Sequence, residues 1–160
     1  MNIFNIKNKA HLTELVELWD AEGVIKSEIF ADALMTSYVF GENTILGVDR
    51  IDIFYLCMEI YCDQVSKGAI HSKWCIAKHL MTSVTYFWAN PIVAKFLIDL
   101  AAYENEPSAC EYIANKYIEF GEDDIATFWH KKGEIGFVEK VTGEPVNLVL
   151  DREMKTIYMR

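Results

Sequence analysis

PIVAKFLIDLAAYENEPSACEYIANKYIEFGEDDIATFWHKKG, residues 91–133, reads as three short helices joined by acidic connections. Pro91 suits a first helical position, where proline forfeits only an N–H that has no intrahelical partner. Ile92, Val93, Phe96, Leu97 and Leu100 then fall at three- and four-residue steps and define one inward apolar stripe. In the second segment Ser108 is placed to cap and Glu111 to reach back, the reciprocal pattern of a capping box. Gly121 suits the left-handed residue just past that helix's end. Glu122, Asp123 and Asp124 open the third helix, where negative charge complements the positive dipole end, and Lys131 and Lys132 close it before Gly133.

Upstream, the same punctuation repeats. Leu12, Leu15, Val16 and Trp19 mark a helix over 9–22 that ends at Gly23. A second helix over about 26–40 carries Ile29, Phe30, Ala33, Leu34 and Tyr38 and stops at Gly41. The segment GENTILGV (41–48) follows as an extended connection and a candidate mobile element. Asp49 caps a third helix that runs to about Lys67, with Ile53, Phe54, Leu56, Cys57, Ile60 and Tyr61 apolar. A fourth spans about 71–89. Downstream of Gly133 the pattern changes: Val146, Leu148 and Leu150 alternate, and Lys155–Met159 is rich in strand formers, which predicts a hairpin about Asp151-Arg152-Glu153. The predicted fold is mainly α, a helical bundle or short α-solenoid of about seven helices with a small C-terminal β-hairpin. It forms a single domain over 1–160, helical over 1–133 and hairpin-forming over 134–160.

Composition bounds the function. An apolar fraction of 52% with only three prolines describes a packed globule rather than a disordered chain. The formal charge of −9 argues against nucleic acid and anionic membrane as partners, since phosphate binding needs a basic footprint. Met1–Ala10 lacks the apolar core of a secretory leader, and no uninterrupted apolar run is long enough to span a bilayer. With four cysteines at helical positions 57, 62, 75 and 110, this predicts free, buried thiols in a reducing cytoplasm.

The segment SACEYIANKYIEFGEDDIATFWHKKGE, within residues 108–134, resembles one Sel1-type unit of the tetratricopeptide-like helical repeats. Ala109, Ile113, Ala114, Tyr117, Gly121, Ala126, Trp129 and Lys132 fall near positions which that family fills with Ala, Leu, Gly, Tyr, Gly, Ala, Trp and Lys. The interhelical loop is about four residues shorter than the family's and lacks its Gly-x-Gly-Val. The resemblance implies a protein-interaction scaffold without catalysis.

Charge distribution points the same way. Between residues 99 and 124 eight acids face one base, Lys116, so this window carries −7 of the total −9. A solvated face with dipole complementation accounts for part of this. Concentrated like charge also steers an oppositely charged partner. The expected function is a non-enzymatic protein that binds a basic partner, in the manner of a toxin-neutralising immunity protein or a secretion adaptor. Its binding residues are Glu104, Glu106, Glu111, Tyr112, Glu119, Glu122, Asp123 and Asp124, with no catalytic residue, metal or cofactor assigned. An alternative is a metal-dependent or thiol enzyme centred on His71, Cys75 and His79, which lie at successive four-residue steps along one helix face. A third reading is a small-molecule-binding helical domain with a pocket among Trp74, Phe87 and Trp88. Cys110, near Glu111 and His130, is a weaker nucleophile candidate.

Overall fold

The structure, a computed structural model, describes residues 5–81 and 90–142. Among these residues are seven α-helices, and β-structure is confined to two isolated bridges. The chain divides into two compact units, residues 1–91 and 92–160. The predicted hairpin over Val146–Met159, together with Phe87 and Trp88, lies outside the described residues.

In the first unit, α1 (Lys9–Ala21) begins where the Asn8 side chain accepts from the His11 N–H. Then come α2 (Val24–Leu34), a π-helical turn over Met35–Val39, α3 (Arg50–Ser66) and α4 (Ile70–Leu80). The Arg50 guanidinium donates to the carbonyls of Val39 (3.3 Å) and Gly41 (2.5 Å), which ties off the π-helical turn. The core is assembled from Leu12 and Leu15 of α1, Phe30, Ala31 and Leu34 of α2, and Ile53, Phe54, Cys57 and Tyr61 of α3, with Cys75 from α4. The connection 41–48, read as a mobile element, is anchored instead: Ile45 is buried and Leu46 bridges Asn8. Ala69, the N-cap of α4, offers no capping side chain. Buried Glu28 of α2 supplies the cap from across the unit, its Oε1 accepting from the Ser72 N–H (3.0 Å) and Oγ–H (2.7 Å).

The second unit contains α5 (Pro91–Tyr103), α6 (Pro107–Glu119) and α7 (Asp123–Thr142). Three sequence expectations are corrected here. The buried face of α5 is Ala94, Ile98, Ala101 and Ala102, whereas Ile92 is 82% and Phe96 62% exposed. Alanines at that periodicity permit close helix approach, and a helix apolar all round does not reveal which face turns inward. Secondly, α6 is capped by Glu106, not Ser108. The Glu106 carboxylate accepts from the Ala109 N–H at 2.7 Å, with Pro107 as first helical residue. Thirdly, α7 does not stop at Gly133 but continues nine residues further, to Thr142. Gly133 and Gly136 are buried where α7 crosses its neighbours: a Cβ on Gly133 would come within 3.1 Å of the Cys110 Cβ, and one on Gly136 would collide with the Asn105 carbonyl oxygen. Lys132, read as closing α7, closes α5 instead, donating to the Tyr103 carbonyl (2.8 Å) and to Asn105 Oδ1. Asn105 itself takes the left-handed conformation (φ 66°) that ends α5, with Glu106 N–H bonding back to the Ala101 carbonyl. Gly121 (φ 75°) ends α6 the same way, through Glu122 N–H to the Tyr117 carbonyl.

Candidate functional site

Two sites emerge, one in each unit. In the second, the eight predicted partner-binding residues do not form one cluster. Glu106 is buried and spent as a helix cap. Glu104 and Glu111 lie about the start of α6, while Glu119, Glu122, Asp123 and Asp124 lie at its far end; α6 separates the two sets by roughly 1.5 Å per residue. Tyr112 is half-buried with the Lys116 ammonium over its ring at 5.7 Å, and the same ammonium binds Glu119 at 3.1 Å. Glu122, Asp123 and Asp124 are exposed, and among the described residues no cation pairs with them.

The α6–α7 turn therefore presents a distinct surface. Phe120 is 77% exposed and Ile118 is exposed beside it, bracketed by Glu119 before Gly121 and by three acids after it. The Schellman geometry at Gly121 fixes the turn, so these side chains are displayed from a rigid bend rather than a long loop. Several acids elsewhere are paired with lysines. In the first unit Lys67 bridges Asp20 (2.9 Å) and Asp63 (2.8 Å) at a cleft between α1, α2 and α3.

The second site joins α2, α3 and α4. His71 and Cys75, one helical turn apart on α4, come together as their spacing predicts, with Cys75 Sγ 3.3 Å from His71 Nε2. Their third companion is Asp32 of α2, whose Oδ2 lies 3.3 Å from the same Nε2 and whose Oδ1 lies 3.7 Å from Cys75 Sγ. Buried Tyr61 of α3 donates its hydroxyl to Asp32 Oδ1 at 2.5 Å. His79 does not join them. It is buried, stacked on Phe40 and edge-on to Phe54, and burial with the nearby Lys78 charge pushes its pKa down to about 4. Asp32 was not singled out in the sequence, although an acid between Ala31 and Ala33 on an otherwise apolar turn was a visible signal.

Electrostatics distinguish what this group can do. Burial alone would raise the Asp32 carboxyl, but hydrogen bonds from His71 and Tyr61 and the charges of His71 and Lys78 hold it below the usual range. Burial pushes the Cys75 thiol up despite His71, so in this environment it is a poor nucleophile. A Cys–His–Asp relay also needs thiol and carboxylate on opposite imidazole nitrogens, whereas here both address Nε2. Of the other cysteines, Cys57 and Cys110 are buried with thiols pushed up to about 12, and Cys62 is exposed, contrary to expectation. Trp74 packs part-buried against the first unit's core. No described helix is long and apolar enough to cross a membrane. Comparison of the chain with protein-family models, curated proteins and solved structures found no match.

Proposed function

We propose that the protein binds a basic protein partner through the α6–α7 turn, acting as a neutralising or escorting factor rather than a catalyst. The observation that carries this is the exposed Phe120 flanked in sequence by Glu119, Glu122, Asp123 and Asp124, three of which pair with no cation among the described residues. An aromatic anchor with a charged rim is the composition of an interface hot spot. The unneutralised acids supply long-range steering of a cationic surface, and Phe120 supplies apolar area that is buried only on association. The narrower site consists of Ile118, Glu119, Phe120, Glu122, Asp123 and Asp124; Glu104, Glu111 and Tyr112 lie outside it.

Titration of the isotope-labelled full chain with a synthetic lysine–leucine amphipathic helix tests the reading. Amide shifts are expected to concentrate at residues 118–124, and Phe120→Ala is expected to weaken binding at least tenfold, about 1.4 kcal/mol. Shifts spread over all exposed acids, or an affinity unchanged by Phe120→Ala, would reduce the surface to a solvated face.

A further inference from the structure

We propose that Asp32, His71 and Cys75 form a binding site for a first-row divalent cation of the zinc class. The three residues each offer one ligand atom, all within 4.8 Å of one another. Around tetrahedral zinc, with bonds of about 2.0 Å to nitrogen and oxygen and about 2.3 Å to sulfur, neighbouring donors stand roughly 3.3–3.6 Å apart. The His71–Asp32 and Cys75–His71 separations are both 3.3 Å, and the third edge, Cys75 Sγ to Asp32 Oδ1, is 3.7 Å, so two edges match tetrahedral zinc and the third is slightly long.

Without an ion, the His71 ring and the Cys75 thiol can both hydrogen-bond to the Asp32 carboxylate. Nε2 carries either one proton or one lone pair, so it does not donate to the carboxylate and accept from the thiol at once. A cation satisfies all three donors at once. Its charge is balanced by the Asp32 carboxylate and the Cys75 thiolate, with Lys78 the nearby opposing charge. Binding is a simple exchange: the metal–sulfur bond forms as the Cys75 S–H bond breaks, the proton passes to solvent, and nothing is oxidised or reduced.

The surroundings match those of a metal ligand set. Tyr61 holds Asp32 by Oδ1 and leaves Oδ2 directed at His71, the kind of outer hydrogen bond that orients a ligating carboxylate. Glu28 pins the first turn of α4, which carries His71. Cys75 is fully buried, while the Asp32 side chain is 42% and that of His71 22% exposed, so an ion enters from the Asp32 side and a water completes its coordination. Nitrogen and sulfur donors disfavour magnesium and calcium.

The test uses the full chain, reduced and freed of metal, titrated with Co²⁺ and then Zn²⁺. One Co²⁺ per chain is expected, with a thiolate-to-cobalt charge-transfer band and the visible bands of tetrahedral cobalt, bleached by one equivalent of Zn²⁺. Cys75→Ser is expected to abolish the charge-transfer band, and Cys62→Ser to leave it intact. Asp32→Asn and Tyr61→Phe should each weaken Co²⁺ binding by about 10- to 100-fold. Absence of the band at stoichiometric cobalt overturns the proposal, as does a band that survives Cys75→Ser or depends on Cys62. If Cys75→Ser fails to fold by far-UV circular dichroism, the partly exposed Asp32→Asn decides: unchanged Co²⁺ affinity there refutes the site.

Discussion

Gly136 sits at the tightest approach that any described glycine of the second unit makes. Its missing Cβ is the space that the Asn105 carbonyl oxygen occupies, and Asn105 is itself the residue on which α5 ends. Gly136→Ala is expected to destabilise that unit by about 3 kcal/mol through forced separation of backbone from backbone, with Gly133→Ala costing roughly 1 kcal/mol because its nearest contacts, the Cys110 Cβ at 3.1 Å and the Pro107 carbonyl oxygen at 3.3 Å, are tight but not overlapping. Urea unfolding followed by the fluorescence of Trp129, with the other three tryptophans replaced by phenylalanine in parent and variants alike, measures both; equal midpoints for Gly136→Ala and the parent would contradict the close approach. In the first unit, His79 makes stability depend on acid. Its pKa falls from an unfolded value near 6.5 to about 4, so the unfolded chain binds more protons between those values. Stability is complete above pH 6.5 and falls as pH drops towards 4, by about 2 kcal/mol at pH 5. His79→Gln should remove this slope. A slope that persists in the variant would assign it to carboxylates elsewhere.

At the scale of elements, periodicity and punctuation placed the seven helices among the described residues, because caps, glycines and apolar spacing act within a few residues; α4, read as running to about residue 89, ends at Leu80. What they could not place depends on a neighbour. Gly133 reads as a stop, yet its role is set by Cys110 on another helix; Lys132 reads as the end of α7, yet it reaches back to α5. The stripe on α5 was ambiguous because large and small apolar residues share one period, and alanine won at the crossing. His71 and Cys75 were legible as an i, i+4 pair, but the carboxylate that completes them comes from 39 residues away on α2. The cap on α4 was equally invisible, since Glu28 is distant in sequence. Glu28→Ala strips the buried Ser72 N–H and hydroxyl of their acceptor, at an expected cost of about 1–3 kcal/mol. Faster amide exchange at Ser72, ahead of global unfolding, is the local sign; unchanged protection would mean that water replaces the cap without loss.

For the whole molecule, the acidity read from the sequence survives as charge but not as one patch. Lys67 closes Asp20 and Asp63, Lys116 holds Glu119, and Glu106 is buried, while Glu122, Asp123 and Asp124 are exposed acids adjacent in sequence at the α6–α7 turn. Asp123 and Asp124 also lie in the first turn of α7, where they complement its dipole. Substitution by Asn and Gln rather than Lys therefore separates steering from helix stability. The most direct measurement is the association rate of the full chain with a basic amphipathic helix, between about 0.01 and 1 M salt, over which screening shortens from roughly 30 to 3 Å. The parent's rate is expected to fall steeply with salt. The triple variant Glu122→Gln, Asp123→Asn, Asp124→Asn should be about tenfold slower at low salt and nearly flat across the range. A parent rate indifferent to salt, or a triple variant that keeps the parent's dependence, would contradict docking at the α6–α7 turn.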